Sequence, residues 1–420
     1  MAPGAGSLDP RVRRYALFTA LWSFELWHPF WTLWLLMQLQ GDFFQATLVD
    51  VVFWTVTLLV AMPAGAVSDR FGRKPSLVFG IAIWHAGVIL FGISRSLPMF
   101  AIANAAWALG ASFLFSSGPA FVYDTLAETG QEARYPHAMS RIALIGFLST
   151  AAGSLIGGLV VLATQSFQVV LILSGVNGAL ATLTALTFRE PSTRERSEVG
   201  MVAQIGTGLR ATRRNPQILL LILFQILTGI VIYVLLFFRA PFIEALVGGD
   251  YALMGAVFGG FFCVSAVAAL SVGRILDRLG ETGALALTFL LVYPPFALVY
   301  VVSLGLLSPP LALAFAIAAQ VPSYVIWGLE TPVVTTIINR RVTGSERATV
   351  LSVSIFLTTL SLGIAEPLVG YLAETLGVAL GLTVLASIAA IPSAFVLVAY
   401  GRSDRRAQLP TAAVLPDRGR

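Results

Sequence analysis

Residues 218–238 read ILLLILFQILTGIVIYVLLFF, 21 positions without a charge. Wound as an α-helix at about 1.5 Å per residue they extend roughly 31 Å, which is the thickness of a bilayer's hydrocarbon core. A soluble helix keeps a polar face and a buried strand is far shorter, so this stretch belongs in lipid. The rest of the chain agrees with it. Of 420 residues, 57% are hydrophobic and 11% charged, against about 25% charged in an ordinary soluble domain. A transmembrane β-barrel would alternate apolar and polar residues in segments of about ten, and no such segments occur. The sequence therefore predicts an all-α membrane protein. Breaking the chain at charges, prolines and glycines places twelve spans near 15–38, 45–67, 76–94, 98–122, 139–162, 167–188, 217–238, 251–272, 282–303, 309–330, 347–370 and 377–400.

Charge sets the orientation. With a cytoplasmic N-terminus, all of the 26 Lys and Arg residues except Arg95 and Arg239 fall in tails, connections or span ends on the cytoplasmic side, the distribution that resistance of basic residues to translocation produces. Both termini are thus expected in the cytoplasm, in a multi-pass protein of the cell (inner) membrane. The net charge of +5 marks topology and not a nucleic-acid face. The single cysteine, Cys263, excludes a disulfide framework. Three scattered histidines and no carboxylate cluster predict no metal site, and the lack of a phosphate-cradling loop argues against ATP-driven pumping. No cofactor is expected. The first apolar run is too long for a signal-peptide core and reads as a retained span.

The chain repeats itself. Gly65, Asp69, Arg70 and Gly72 recur 208 residues later as Gly273, Asp277, Arg278 and Gly280, each set following the second span of its half. Asp124 and Arg141 correspond to Glu330 and Arg347 at an offset of 206. Six spans duplicated in parallel is an architecture of secondary transporters. The expected organisation is a tail over 1–14, a six-helix bundle over 15–188, a cytoplasmic linker over 189–216, a second bundle over 217–400 and a tail over 401–420.

The segment Gly65-Ala-Val-Ser-Asp69-Arg70-Phe-Gly72-Arg73-Lys74 resembles the signature between helices 2 and 3 of the major facilitator superfamily. The second copy keeps Gly273, Asp277, Arg278 and Gly280 but has Glu281 and Thr282 where the basic pair stood. The resemblance covers residues 15–400 and implies two pseudo-symmetric six-helix bundles around a substrate cavity, with transport by rocking of one bundle against the other. It also implies that Asp69 latches the cytoplasmic side against the start of helix 11, around Arg347. Asp124, ending helix 4, is placed to pair with Arg73. The alternative is that these charges only enforce topology.

Ionisable groups at bilayer depth are costly and each calls for a function. Read as one continuous helix, the first span lines Leu21, Glu25, His28 and Thr32 along one face. Glu25 lies ten residues beyond Tyr15, about 15 Å into a core about 30 Å thick. Burial disfavours charge on Glu25 and His28 while mutual pairing favours it, so the two are the candidate proton-coupling pair; a static buried pair is the alternative. Trp22 and Trp31, among the aromatics around them, are candidate cavity walls able to stack on or hold a lipophilic or cationic ligand. Asp50, Arg239 and Glu366 lie near outer helix ends and are expected to form an outer gate in which Arg239 pairs with a carboxylate, or to be rim charges. Gly153-x3-Gly157-Gly158 and Gly255-x3-Gly259-Gly260 are close-packing patterns; the first shares part of the signature of proton-driven exporters, with Ser154 in place of its proline.

The function expected from all this is secondary active transport by alternating access, proton-coupled, exporting small amphipathic or hydrophobic molecules. Its partners would be the substrate, protons and the lipid bilayer, with the chain acting as a monomer. A proton-coupled importer of a metabolite or sugar is the first alternative; a membrane-embedded enzyme or receptor is the second, with only Glu25 and His28 approaching a nucleophile–base arrangement.

Overall fold

A computed structural model describes residues 9–192, 212, 215–341 and 346–408. Helices account for nearly all of them, and no strand occurs among the described residues. We number the helices α1 (Pro10–Trp22), α2 (Trp31–Gln38), α3 (Phe43–Phe71), α4 (Arg73–Ile93), α5 (Leu97–Ala127), α6 (Tyr135–Thr164) and α7 (Phe167–Leu186) in the first half. The second half has α8 (Pro216–Val247), α9 (Tyr251–Ala269), α10 (Val272–Val292), α11 (Phe296–Ser303), α12 (Pro309–Arg341), α13 (Glu346–Leu376) and α14 (Val378–Gln408). Eleven candidate spans are long and apolar enough to cross a membrane unaided. The twelfth is the pair α1 and α2, two short helices separated by residues 23–30.

That break corrects the continuous first helix expected from periodicity. Pro29 removes a backbone donor and its ring crowds the carbonyl four residues back, that of Glu25. Residues 23–30 accordingly leave the helix. In lipid a freed backbone group must find a partner inside the protein, and α6 and α7 supply them. Ser149 Oγ donates to the Ala20 carbonyl at 2.5 Å, Thr150 Oγ1 to that of Ser23 at 2.9 Å, and Asn177 Nδ2 to that of Phe24. Gly153 and Gly157 make the room: a Cβ on Gly153 would lie 2.7 Å from the Glu25 nitrogen, and one on Gly157 would lie 2.1 Å from the Leu26 oxygen. The ninth span breaks for the same reason, at Pro294 and Pro295 between α10 and α11.

Helices also extend past the hydrophobic runs. Asp9 accepts from the Arg11 amide at 2.7 Å and starts α1 at Pro10, inside the expected tail, while α14 continues to Gln408. Most of the expected linker 189–216 lies outside the described residues.

The two halves meet on the side away from the basic connections, which we call outer. Phe43 packs on Phe238 at 5.7 Å and Trp31 on Phe237 at 5.5 Å. Gly158 of α6 faces Gly255 of α9, where a Cβ would come within 2.9 Å of the opposing Cα. One buried cluster joins the first half to the outer ends of the second, from Phe18 and Leu77 to Phe238 and Val369. On the inner side a separate cluster, with Ile218, Leu285, Ile337 and Tyr400, contains second-half residues alone. The bundles are therefore sealed on the outer side, while the inner cluster among the described residues belongs to the second half alone.

Candidate functional site

A cavity of about 460 Å³ runs from Tyr15, Pro119 and Met139 at the inner ends of the spans up to Glu25, Trp27 and His28 in the unwound segment. Its walls are aromatic. Of the eight tryptophans in the sequence, Trp22, Trp27, Trp84, Trp107 and Trp327 line it. Trp31 and Trp54 line a smaller neighbouring cavity of about 170 Å³ that Trp27, Trp107 and Trp327 share. Trp27 and Trp107 meet edge to face at 4.7 Å, and Trp22 and Trp84 at 5.5 Å. Polar groups are few: Thr19, Ser23, Thr150, His28, the phenol of Tyr15 at the mouth, and Glu25, the sole acid among the described lining residues. The indole N–H groups of Trp27, Trp84 and Trp107 have no protein partner.

Glu25, 8% exposed, is the first member of a chain of polar contacts. His28 Nδ1 lies 3.6 Å from Glu25 Oε2, and His28 Nε2 lies 2.8 Å from Nη2 of Arg239. Arginine only donates, so Nε2 accepts, and the ring proton must sit on Nδ1, facing the carboxyl. Arg239 also donates to Tyr324 OH at 2.6 Å. Its guanidinium is caged by the rings of Phe258, Tyr324 and Trp327 at 5.3, 5.3 and 5.5 Å, an arrangement that holds a cation through the ring quadrupoles.

Several placements expected from the sequence need correction, and the physical reason in each case is helix geometry. Trp22 lines the main cavity and Trp31 the smaller one, but Thr32 is buried and lines neither: residues 23–30 leave the helix, so the face drawn through Glu25 and His28 does not carry on into α2. Arg239 does not end its helix as expected: α8 runs on to Val247, which places it two turns inside the helix against His28 and Tyr324. Among the described residues it forms no ion pair with Asp50 or Glu366. Glu366 of α13 instead accepts from Trp54 Nε1 of α3 at 2.9 Å, across the bundle interface.

At the inner side, Arg73 joins Asp69 and reaches Asp124 Oδ2 at 3.1 Å. Gly72 adopts φ +119° to turn α3 into α4, and the Glu190 carboxylate fills the space a Cβ would take. Glu190 accepts from the amides of Arg73 and Lys74 at 2.7 and 2.8 Å, an acid on a helix N-terminus. Sequence reading misses this cap, which comes from 117 residues away. Arg70 lies over Phe71, and Gly65 faces open space. In the second copy Gly280 turns at φ +66° while Asp277 and Arg278 are exposed. The side chain of Arg347 and the surroundings of Gly273 lie outside the described residues, so the Asp69–Arg347 latch does too. Nearby, Glu128 is held down at about 2 by the Ser192 hydroxyl and amide, with Arg11 adding to the effect.

Relatives carry related names. Drug efflux pump JefA of Mycobacterium tuberculosis (strain ATCC 25618 / H37Rv) is 30% identical over 102 residues, 24% of this chain and 20% of that protein. Multidrug resistance protein 1 of Bacillus subtilis (strain 168) is 33% identical over 75 residues, 18% of this chain and 19% of that protein. The matched stretches thus span about a fifth of these relatives. Among solved structures, the nucleoside transporter NupG superposes with a TM-score of 0.73 at 13% identity, over 94% of this chain and 99% of that one. An inward-facing, unoccupied bacterial homolog of the human lysosomal transporter Spinster gives 0.70 at 15% identity, over 94% and 98%. The Major Facilitator Superfamily profile matches residues 15–354, and with two six-span bundles around a central cavity the chain belongs to that family of membrane transporters.

Proposed function

We propose that this transporter exports small amphipathic or hydrophobic molecules in exchange for protons, with Glu25 as the coupling acid. The observation that carries the reading is the position of Glu25: it sits in the unwound segment of the first span, at the closed end of an aromatic cavity, and connects through His28 to Arg239. As a carboxylate Glu25 shares the charge of Arg239 through the imidazole. As a carboxylic acid it releases that hold and becomes a neutral wall. A substrate with an apolar body stacks on the indoles, and its polar or basic group competes with the proton for Glu25. Competition for one site, alternately opened to each side, is what exchange requires. The names of the matched relatives support export, and the aromatic lining supports an apolar substrate. On this reading the protein works as a monomer in the cell membrane with both termini in the cytoplasm.

The test is transport by the full-length protein in proteoliposomes with an imposed pH gradient, using ethidium as a planar lipophilic probe and uridine as a hydrophilic one. Ethidium should move against the proton flow, and Glu25→Gln should still exchange it down its own gradient but ignore the pH gradient. Equal pH-gradient dependence of Glu25→Gln and wild type removes Glu25 from the coupling role. Movement of uridine with the protons, and none of ethidium, replaces export by import.

A further inference from the structure

The exchange proposed above leaves the smaller cavity without an occupant. It lies beyond the unwound segment, toward the outer seal, and shares His28, Trp27, Trp107 and Trp327 with the larger cavity as a common wall. Eight of its twelve lining residues are aromatic, so it is a box of rings before it is anything else. Neighbouring rings stand nearly at right angles, Trp31 to Phe237 at 82°, Trp31 to Trp107 at 83° and Trp54 to Tyr233 at 79°. Two opposite charges complete the lining: Asp50 from α3 and Arg239, 3% exposed, from α8, helices of opposite bundles. Among the described residues neither forms an ion pair; Arg239 is held by neutral groups instead, Tyr324 OH at 2.6 Å and His28 Nε2 at 2.8 Å. Those bonds fix the guanidinium and use two of its five N–H donors. An unpaired charge at bilayer depth is costly, and two of opposite sign held apart across one small cavity fit a ligand that carries both complements. We propose that the smaller cavity binds a small betaine-type zwitterion, a quaternary ammonium joined by a short linker to a carboxylate, with the ammonium in the aromatic box beside Asp50 and the carboxylate on Arg239.

Size, hydrogen bonding and charge each narrow the ligand to that class. The volume is about 170 Å³; a cavity of about 150 Å³ takes a benzene, so a body of roughly six to eight heavy atoms fits. Aromatic faces attract a cation through the ring quadrupole, most strongly where water is excluded. A primary ammonium would bring three N–H donors needing partners away from water, and ring faces are poor acceptors; a quaternary ammonium brings none. At the other end the guanidinium presents a fork of donors that matches a carboxylate. Arg239 repels a simple cation and Asp50 a simple anion, so the zwitterion alone meets attraction at both ends. The larger cavity selects differently, having Glu25 and no arginine or lysine among its described lining residues.

The test titrates the full-length protein in nanodiscs by calorimetry with three probes of similar size. These are glycine betaine; tert-butylacetate, which keeps its shape with carbon in place of the charged nitrogen; and tetramethylammonium, which lacks the acid. Wild type should bind glycine betaine at least about tenfold more tightly than either of the others. Asp50→Asn and Trp31→Leu should each weaken glycine betaine and tetramethylammonium and spare tert-butylacetate. Arg239→Gln should weaken glycine betaine and tert-butylacetate, and Arg239→Lys, which keeps the charge, should recover part of the loss. Comparing probes within one preparation separates lost recognition from lost folding, since an unfolded variant loses all three. No binding of glycine betaine by wild type, equal binding of the three probes, or equal loss of all three in Trp31→Leu that unfolds at the wild-type temperature overturns the proposal. Ethidium exchange is measured apart from this titration, so either idea can fail while the other stands.

Discussion

Gly157→Ala tests how the first span is held open. The added methyl would sit 2.1 Å from the Leu26 carbonyl oxygen and 2.9 Å from its carbon. Carbon–oxygen contacts are at ease near about 3.3 Å, so α6 or the unwound segment must retreat by roughly 1.2 Å. The atoms struck are backbone, and no rotamer change relieves them. Overpacking of this kind costs about 1–3 kcal/mol, and the gain in helix propensity from Gly to Ala returns about 1 kcal/mol. Glu25 adjoins Leu26 and moves with it, and displacing a working group by about 1 Å can cost a hundredfold in rate. Gly260→Ala is the matched control, because a methyl there meets nothing within 4 Å. The assay is the initial rate of pH-gradient-driven transport in proteoliposomes at equal protein, with thermal unfolding of the same preparations. Gly157→Ala should lose at least about tenfold in rate and unfold at a lower temperature, while Gly260→Ala matches wild type. A wild-type rate for Gly157→Ala would refute the idea that the α6 glycines position Glu25.

The remaining predictions concern the inner side and the cavity wall. Arg73→Met strips Asp69 and Asp124 of their shared cation; breaking such a buried pair costs about 3 kcal/mol, seen as a lower unfolding temperature that Asp124→Leu in the same chain partly restores, and an unchanged single variant would contradict it. Glu128, held at about 2 against an ordinary 4.5, contributes stability in full above its unfolded value and loses it as pH falls toward the folded one. Wild type should therefore weaken more steeply than Glu128→Gln between about pH 5 and about pH 2 in thermal unfolding, and parallel curves would count against the Ser192 and Arg11 contacts. Trp107→Phe keeps the wall but removes an unpartnered indole donor; ligands with a carbonyl or ether acceptor should bind about three- to tenfold more weakly, in line with one net hydrogen bond, and ligands without one should bind as before.

The spans are legible because lipid forbids charge, and the two halves because the Asp69 and Asp277 turns survive 208 residues apart. Glu25 and His28 are legible as chemistry but not as geometry. A 3.6-residue period presumes a helix, and Pro29 ends that presumption in a way that only becomes tolerable when Ser149, Thr150 and Asn177, on other helices, take up the freed carbonyls. Pro29 is the available signal. Arg239 is misplaced when a charge is read as the end of a span, whereas an aromatic cage lets the helix carry it inside. The tryptophans outside the first span offer a fainter sign: Trp54, Trp84, Trp107 and Trp327 all reach a cavity. Glu190 gives no sign, since capping across 117 residues leaves no local pattern.

Comparison of the two halves explains why the repeated turn can lose its basic pair and still do its work. In the first half a cation that opens α4, Arg73, binds an anion that ends α5, Asp124, and Glu190 from beyond α7 covers the same helix start. In the second half Glu281, in the register of Arg73, binds Arg341, which ends α12, at 2.5 Å. Asp404, near the end of α14, bonds Arg341 at 2.5 Å and Thr282 at 2.9 Å. The three helix ends that meet are the same and the sign of the pair is reversed. Opposite charge across a fixed junction is the physical requirement, and either polarity meets it, so duplication conserves the junction while the residues at it diverge. What differs is the pairing inside each turn: Arg73 is buried between Asp69 and Asp124 in the first half, while Arg70 there and Asp277 and Arg278 in the second are exposed.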